Sequence, residues 1–519
     1  MPDPRPAPRL GPRHALLVPV AVAMLVRLYL TGTIPLTMTT DSGDYLLWAA
    51  QLAAGQWPDF PGVRTPGYPL FLSAVVALAG QTPTAIVLAQ HLLGVGVVAL
   101  GALVTARVAG PLLALGVGLA LALDPWMLTL ECCALSEAPA TFLSVLALAV
   151  VMLRWSRGLA GGLLLGAVLA AACLVRPAMQ IAVPLVGAAA LLDAWRHGAR
   201  GAAGPALRAR ARAAAPVATG LALGLALLLG PWLVHNARRG IVGLANGTEM
   251  ILFVGFERAG MLDEAFPLRP QTAAAYALFK QTPPTETSRF VFLRAVGLPD
   301  SPEAADEIAR WCRHSVRSRT RHYLRTAAWV TLWQLNCFPS AGWNGYSETA
   351  WLMRGLGRAD PPPNPDAPPN FFTDSRDPSM VPYQMWNDGG PPARLFGWLG
   401  RQRFRGIPQV PLCLLTLGVI GLALLRRRFD LALLFAVPVA LIGVHVAMLL
   451  IYDRYGLPSW IMMYLAPAGL AALWRRAPAA AHDEASHARP ALPLPGAPAP
   501  CPRAPTASGR TPGAPGEPR

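Results

Sequence analysis

The chain has 519 residues, 54% of them hydrophobic and only 14% charged, with a mean hydropathy of +0.40. A soluble domain carries about a quarter charged residues, so these values exclude an ordinary soluble protein. The formal charge of +16 does not mark a nucleic-acid binder, because the arginines fall in short loops and tails between apolar runs, where they act as an orientation signal.

In chain order, residues 1–14 read as a basic cytoplasmic N-terminus containing Arg5, Arg9 and Arg13. The first apolar run, 15–35, is followed by no clear small-x-small cleavage pattern and reads as a retained helix. Residues 36–83 form a first external loop. It opens with Thr39-Thr40-Asp41-Ser42-Gly43-Asp44-Tyr45 and continues to Arg64-Thr65-Pro66-Gly67-Tyr68-Pro69. Asp41 and Asp44 therefore sit just beyond hydrocarbon, where insertion of a carboxylate costs about 2.5 kcal/mol or more. The plain alternative is a solvated loop that ends the first helix. Further apolar runs lie at 84–108, 111–130, 135–153, 159–175, 179–195, 214–234, 408–425, 431–451 and 458–474. They are of membrane-crossing length, apolar on all sides and not alternating, which leaves helix as the spanning form. The expected fold is an all-α polytopic membrane protein of about ten transmembrane helices with a mixed external domain.

Short-loop arginines set the orientation. With both termini inside, Arg107, Arg154, Arg157, Arg196, Arg200, Arg208, Arg210, Arg212, Arg426, Arg427, Arg428, Arg475 and Arg476 all fall on the cytoplasmic side. Asp41, Asp44, Asp59, Glu131, Glu137 and Asp453 fall outside, and Arg27 is the main charge inside a run. The domains are then a transmembrane core at 15–235, a large external domain at 236–407, C-terminal transmembrane helices at 408–474 and a disordered cytoplasmic tail at 475–519. In the external domain, Ser301-Pro302-Glu303 reads as a capped helix start. That helix runs basic through Arg310, Arg313, Arg317, Arg321 and Arg325, ends apolar at 327–335, and is expected to lie on the membrane surface. His91 and His445, both inside apolar runs, read as packing or hydrogen-bonding residues. The seven cysteines show no metal-ligand spacing, and pairing of Cys312 with Cys337 is left open.

Asp41-Ser42-x-x-Tyr45, followed by Ala49, Leu52, Gly55 and Arg64-Thr65-Pro66-Gly67-Tyr68-Pro69-Leu70-Phe71-Leu72, resembles the first external loop of the GT-C membrane glycosyltransferases. The resemblance is to the polyprenyl-phosphate-sugar-dependent group that includes protein mannosyltransferases and lipid A aminoarabinose transferases. Later pieces follow in the family order: Leu135-Ser136-Glu137, Val175-Arg176-Pro177, Pro231-Trp232 with His235-Asn236, and Arg454-Tyr455 with Pro458. At His235-Asn236 the family often has Arg-Asn.

The resemblance implies inverting transfer of a sugar from an undecaprenyl- or decaprenyl-phosphate carrier to an acceptor hydroxyl on a glycan, lipid or protein. The transfer would occur on the outer face of a bacterial cytoplasmic membrane. Such a reaction needs a base for the hydroxyl and cations for the departing phosphate. Asp41 is the candidate base. Asp44, three residues on, shares its helix face and is assigned to acceptor or divalent-cation binding, or to capping. Glu137 reads as a second acid or as a helix N-terminal charge. Arg454, with Tyr455, is the first choice for the donor phosphate, and Arg176 and Arg64 are the others; each arginine also reads as an interfacial anchor. The sequence names no cofactor and leaves a divalent cation open. The rival is a transporter or flippase, which would place ionisable residues near mid-membrane.

Overall fold

The computed structural model describes residues 12–33, 36, 41–58, 60, 64–80, 82–198, 206–245, 247–282, 286–298, 301–336, 409–448 and 457–474. Every regular element among them is helical. In the membrane part these are α1 (Pro12–Thr33), α2 (Ser42–Ala53), α3 (Gly67–Ala79), α4 (Pro83–Ala109), α5 (Pro111–Ala122), α6 (Pro125–Glu131), α7 (Glu137–Met152), α8 (Gly158–Val175), a 3-10 turn (Pro177–Ile181), α9 (Ala182–His197) and α10 (Ala206–Arg238). Then come α11 (Thr248–Arg258), α12 (Pro270–Lys280), α13 (Glu286–Ala295), α14 (Pro302–Ser318) and α15 (Thr320–Asn336). The chain returns through α16 (Gln409–Leu425), α17 (Phe429–Ala447), α18 (Leu457–Met463) and α19 (Ala466–Trp474). Where described, the expected apolar runs fall on helices, and among the described residues six helices are long and apolar enough to cross a membrane. The protein is an all-α, multi-pass membrane protein.

Two runs that read as continuous are broken. Asp124 precedes Pro125, a position that disfavours α backbone. Its Oδ1 accepts from the backbone N–H groups of Trp126 and Met127 at 3.1 and 2.8 Å, which caps α6 and separates it from α5. The last run breaks between α18 and α19, and there the Tyr464 hydroxyl donates to Asp124 Oδ2 at 3.0 Å. The two interruptions thus hold each other. Non-helical backbone inside a bilayer persists only where protein satisfies it.

Glu131 corrects the sequence reading. It does not face outside water but is 1% exposed in the core. Arg27 on α1 grips it in a fork, Nε and Nη2 each donating at 2.8 Å, and His91 Nδ1 on α4 lies 2.7 Å from Oε2. Gly94 makes room: a Cβ there would lie 1.9 Å from Glu131 Oε1. Arg27 is therefore a buried ion-pair partner.

α8 and α10 pack backbone to backbone through Gly162, Gly166, Gly220 and Gly224. A Cβ at Gly220 would lie 2.1 Å from the Leu159 carbonyl oxygen, and one at Gly166 2.3 Å from that of Leu221. Small residues at four-residue spacing let membrane helices approach this closely.

Helices α11 to α15 enclose a separate core of Phe253, Phe279, Phe292, Ile308, Trp311 and Cys312. The described residues of the 236–407 segment are thus helical, with no strand among them. Ser301 caps α14 as its sequence indicates, its hydroxyl accepting from Ala304 N at 3.1 Å. The single membrane-surface helix is corrected: α14 and α15 are two helices parted at Arg319, and the apolar face of α14 (Ala304, Ile308, Trp311) is buried in the external core. α15 reaches the membrane helices, the Tyr323 hydroxyl donating to the Ala447 carbonyl at 3.0 Å. Cys312 is buried, and Cys337 lies outside the described residues.

The Gly220→Ala variant is expected to lose stability by about 1–3 kcal/mol through overpacking. Gly230→Ala, on the same helix with nothing within 4 Å of its Cβ position, is expected to match the parent. Thermal midpoints in one detergent decide this, and equal midpoints for the two variants contradict the packing assigned to α8 and α10.

Candidate active site

The 36–83 segment, read as a loop with a short helix at Asp41 and Asp44, holds two helices, α2 and α3. Asp41 stands at the start of α2 but makes no side-chain cap. Its carboxylate instead meets Arg64. Arg64 Nη2 donates to Asp41 Oδ1 at 2.7 Å, Nη1 donates to the Tyr45 hydroxyl at 2.9 Å, and Nε lies 3.7 Å from Asp44 Oδ2. The guanidinium carbon also stands 4.9 Å from the centre of the Tyr45 ring. Asp41 keeps 23% of its side-chain surface exposed and Asp44 56%. The carboxylate pair is thus reachable from water.

The electrostatics follow from this crowding. Burial opposes the charge on Arg64, yet Asp41, Tyr45 and Asp44 outweigh it and raise its pKa, so the guanidinium stays protonated. Burial pushes the Asp44 carboxyl up and Asp41 adds to this; Arg64, and Arg294 from α13, work against it. The Tyr45 phenol is pushed up by burial first, with Asp41 and Glu137 adding and Arg64 and Arg176 opposing. Tyr45 therefore remains neutral and lies within the field of both acid–arginine pairs.

The second pair is Arg176 Nη1 with Glu137 Oε1 at 3.0 Å, both side chains at least nine-tenths buried. Glu137 opens α7, and Arg176 follows α8 immediately before Pro177. Gly67 brings this pair to the first loop. A Cβ at Gly67 would lie 2.4 Å from the Leu174 carbonyl carbon and 2.5 Å from Val175 N, so only glycine lets α3 press onto the end of α8. The Pro-Gly-Tyr step is in this sense a packing motif.

Sequence reasoning missed what holds α2 and α3 down. The Ser42 hydroxyl donates to the Ala134 carbonyl at 3.0 Å. The Tyr68 hydroxyl donates to Gln90 Oε1 at 3.0 Å, and Gln90 Nε2 donates to the carbonyls of Glu131 and Cys133 at 2.9 and 2.8 Å. Tyr68 in turn meets Tyr45 edge-on, with ring centres 4.9 Å apart. An amide and an imidazole side by side, Gln90-His91, inside an apolar run were the available signal. Trp48, Trp57 and Phe60 bind the loop to α10 at Trp232 and His235. Asn236, from the His-Asn pair, donates to the carbonyls of Gly243 and Leu244 at 2.8 and 3.1 Å, turning the chain after α10.

Arg454 and Tyr455 lie outside the described residues, as does Asp453. Asp41 and Asp44 both face the Arg64 guanidinium. Among the described residues no three His, Cys, Asp or Glu side chains converge as metal ligands would. Held by Arg64, Asp41 and Asp44 do not fit a divalent cation.

No protein-family profile matches the chain, and no curated protein does. Among solved structures, the crystal structure of ArnT from Cupriavidus metallidurans bound to undecaprenyl phosphate is similar over 88% of this chain and 77% of that one, at 13% identity and a TM-score of 0.32.

Removing one partner of a buried ion pair strands the other charge and costs about 3–5 kcal/mol. Arg176→Gln alone is expected to lower the thermal midpoint markedly, and adding Glu137→Gln to restore most of the loss. A double variant no more stable than the single one rules out the pairing.

Proposed function

We propose that the chain is an integral-membrane glycosyltransferase. In this reading it moves a sugar from a polyprenyl-phosphate carrier to an acceptor hydroxyl at the outer face of a bacterial cytoplasmic membrane, with both termini cytoplasmic. One observation carries the reading: Arg64 holds Asp41 and Tyr45, and Gly67, three residues on, presses α3 onto the end of α8, next to the Arg176–Glu137 pair.

The chemistry assigns each a task. Asp41, paired with Arg64 and partly exposed, takes the proton from the acceptor hydroxyl as the oxygen attacks the anomeric carbon. The bond from that carbon to the carrier phosphate oxygen breaks, and the lipid phosphate leaves with the electron pair. A positioned base of this kind contributes about 10²–10⁴-fold. Arg64 orients Asp41 and Tyr45. Arg176, and Arg454 with Tyr455, are proposed for the phosphate, where a guanidinium matches two oxygens at once. Asp44 and Glu137 serve as flanking acids, Asp44 at the water side and Glu137 fixing Arg176.

A transporter is the second reading, favoured by the intramembrane cluster of Arg27, His91 and Glu131, since ionisable groups at that depth often line a path. The cluster is closed, however, with Arg27 and Glu131 at most 2% exposed and both Glu131 oxygens bonded. Its arrangement suits a staple better than a pathway.

Asp41→Asn keeps shape and removes basicity. With purified protein, a synthetic polyprenyl-phosphate sugar and mass spectrometry of the products, it is expected to abolish transfer at unchanged protein level and donor binding. Asp44→Asn is expected to be milder. An Asp41→Asn enzyme retaining more than about a tenth of parental turnover is too active for a lost base.

A further inference from the structure

The corner between α14 and α15 carries cations that the transfer chemistry does not use. Ser318, Arg319, Thr320, Arg321, His322 and Arg325 line a cleft of about 450 Å³. Arg319 is committed within the external domain: Nη2 lies 3.7 Å from Asp263 Oδ1, and Nη1 donates to the Gly260 carbonyl at 3.5 Å. Asp263 is further covered by His314 at 3.4 Å, so its charge is answered locally. Arg310 and Arg313 are likewise answered by Asp306. Among the described residues, no carboxylate lies within ion-pair distance of Arg321 or Arg325. They stand one turn apart on one face of α15 and are both exposed, with Leu324 between them 60% exposed.

The height of this corner relative to the bilayer is fixed by α17. That helix has 19 residues, which at 1.5 Å per residue gives about 28 Å, close to the thickness of the hydrocarbon core. It starts directly after Arg426, Arg427 and Arg428 at one boundary and ends at Ala447. The Tyr323 hydroxyl bonds that last carbonyl from α15. Arg321 and Arg325 flank Tyr323 in sequence and therefore stand at the level of the headgroups on the side opposite the triple arginine. Arginines beside an exposed leucine at that depth suit a phosphate above and acyl chains below.

We propose that this corner binds the headgroup phosphate of an anionic membrane lipid. The bound lipid fixes α15, and through it the external domain, on the membrane surface. The inference rests on the placement of α15 against α17 and is independent of the reading of the active site.

The test uses the full chain in a neutral detergent, with dioleoylphosphatidylglycerol as the probe and native mass spectrometry as the readout. Arg321→Gln/Arg325→Gln is expected to weaken binding by roughly tenfold or more, at about 1 kcal/mol per arginine near a lipid surface. Arg321→Lys/Arg325→Lys is expected to keep most of it. Arg310→Gln/Arg313→Gln is expected to change little. Thermal midpoints close to the parent's show that the variants are folded; should the Gln pair fail that check, the same comparison is made with Arg325→Gln alone. Unchanged phosphatidylglycerol binding in the folded Gln variant overturns the proposal. Displacement of the lipid by equimolar inorganic phosphate overturns it too, since the site would then belong to a free anion. Equal retention of dioleoylphosphatidylcholine by the parent overturns the preference for an anionic headgroup.

Discussion

A carboxylate buried in a membrane protein must find all its partners within the protein, and Glu131 is where this chain meets that demand. Both of its oxygens are taken, by the Arg27 fork and by His91. The consequence reaches well beyond one ion pair. Fixing Glu131 fixes the irregular stretch that follows it, and that stretch holds α2 and α3. Its carbonyls at 131 and 133 receive Gln90, which receives Tyr68, and its carbonyl at 134 receives Ser42, the neighbour of Asp41. The position of the candidate base at the water boundary thus depends on a charge pair inside the bundle.

The same economy governs the rest of the site. Gly67 allows α3 to touch the end of α8, which brings the Arg64 motif beside the Arg176–Glu137 pair. Arg64 then serves three groups at once, two acids and a phenol. A rigid site of this kind suits a reaction in which little reorganisation is wanted while charge moves from acceptor to leaving phosphate. The close approach of α8 and α10 through four glycines gives the core a rigid wall behind it.

Much of this was legible in the sequence. Apolar runs of spanning length report helices because nothing else crosses a bilayer, and each run did fall on helix. The Ser301 cap was legible because its signal is local. What sequence could not show was partnership over distance. Arg27 and Glu131 are 104 residues apart, and a lone charge in a run says nothing of who answers it. The break at Asp124 was hidden by the apolar residues on both sides. The arginines from 310 to 325 and the apolar end at 327–335 read as one helix on the membrane surface, while nothing local showed that Ala304, Ile308 and Trp311 pack in a core with Phe253 and Phe292. At the site, the acids and arginines were legible as candidates through the order of their motifs. Their support by Gln90, Tyr68 and Ser42 was not, because polar residues of that size carry no signature until the backbone they bind is known.

The account stands on one central claim, that this protein consumes a lipid-linked sugar. The most direct measurement is mass spectrometry of the membrane lipids from source cells with the gene intact and deleted. The account predicts that one polyprenyl-phosphate sugar accumulates in the deletion strain and falls to its original level when the parental gene, but not the Asp41→Asn gene, is restored. A lipid-linked sugar pool identical in all of these strains would contradict it.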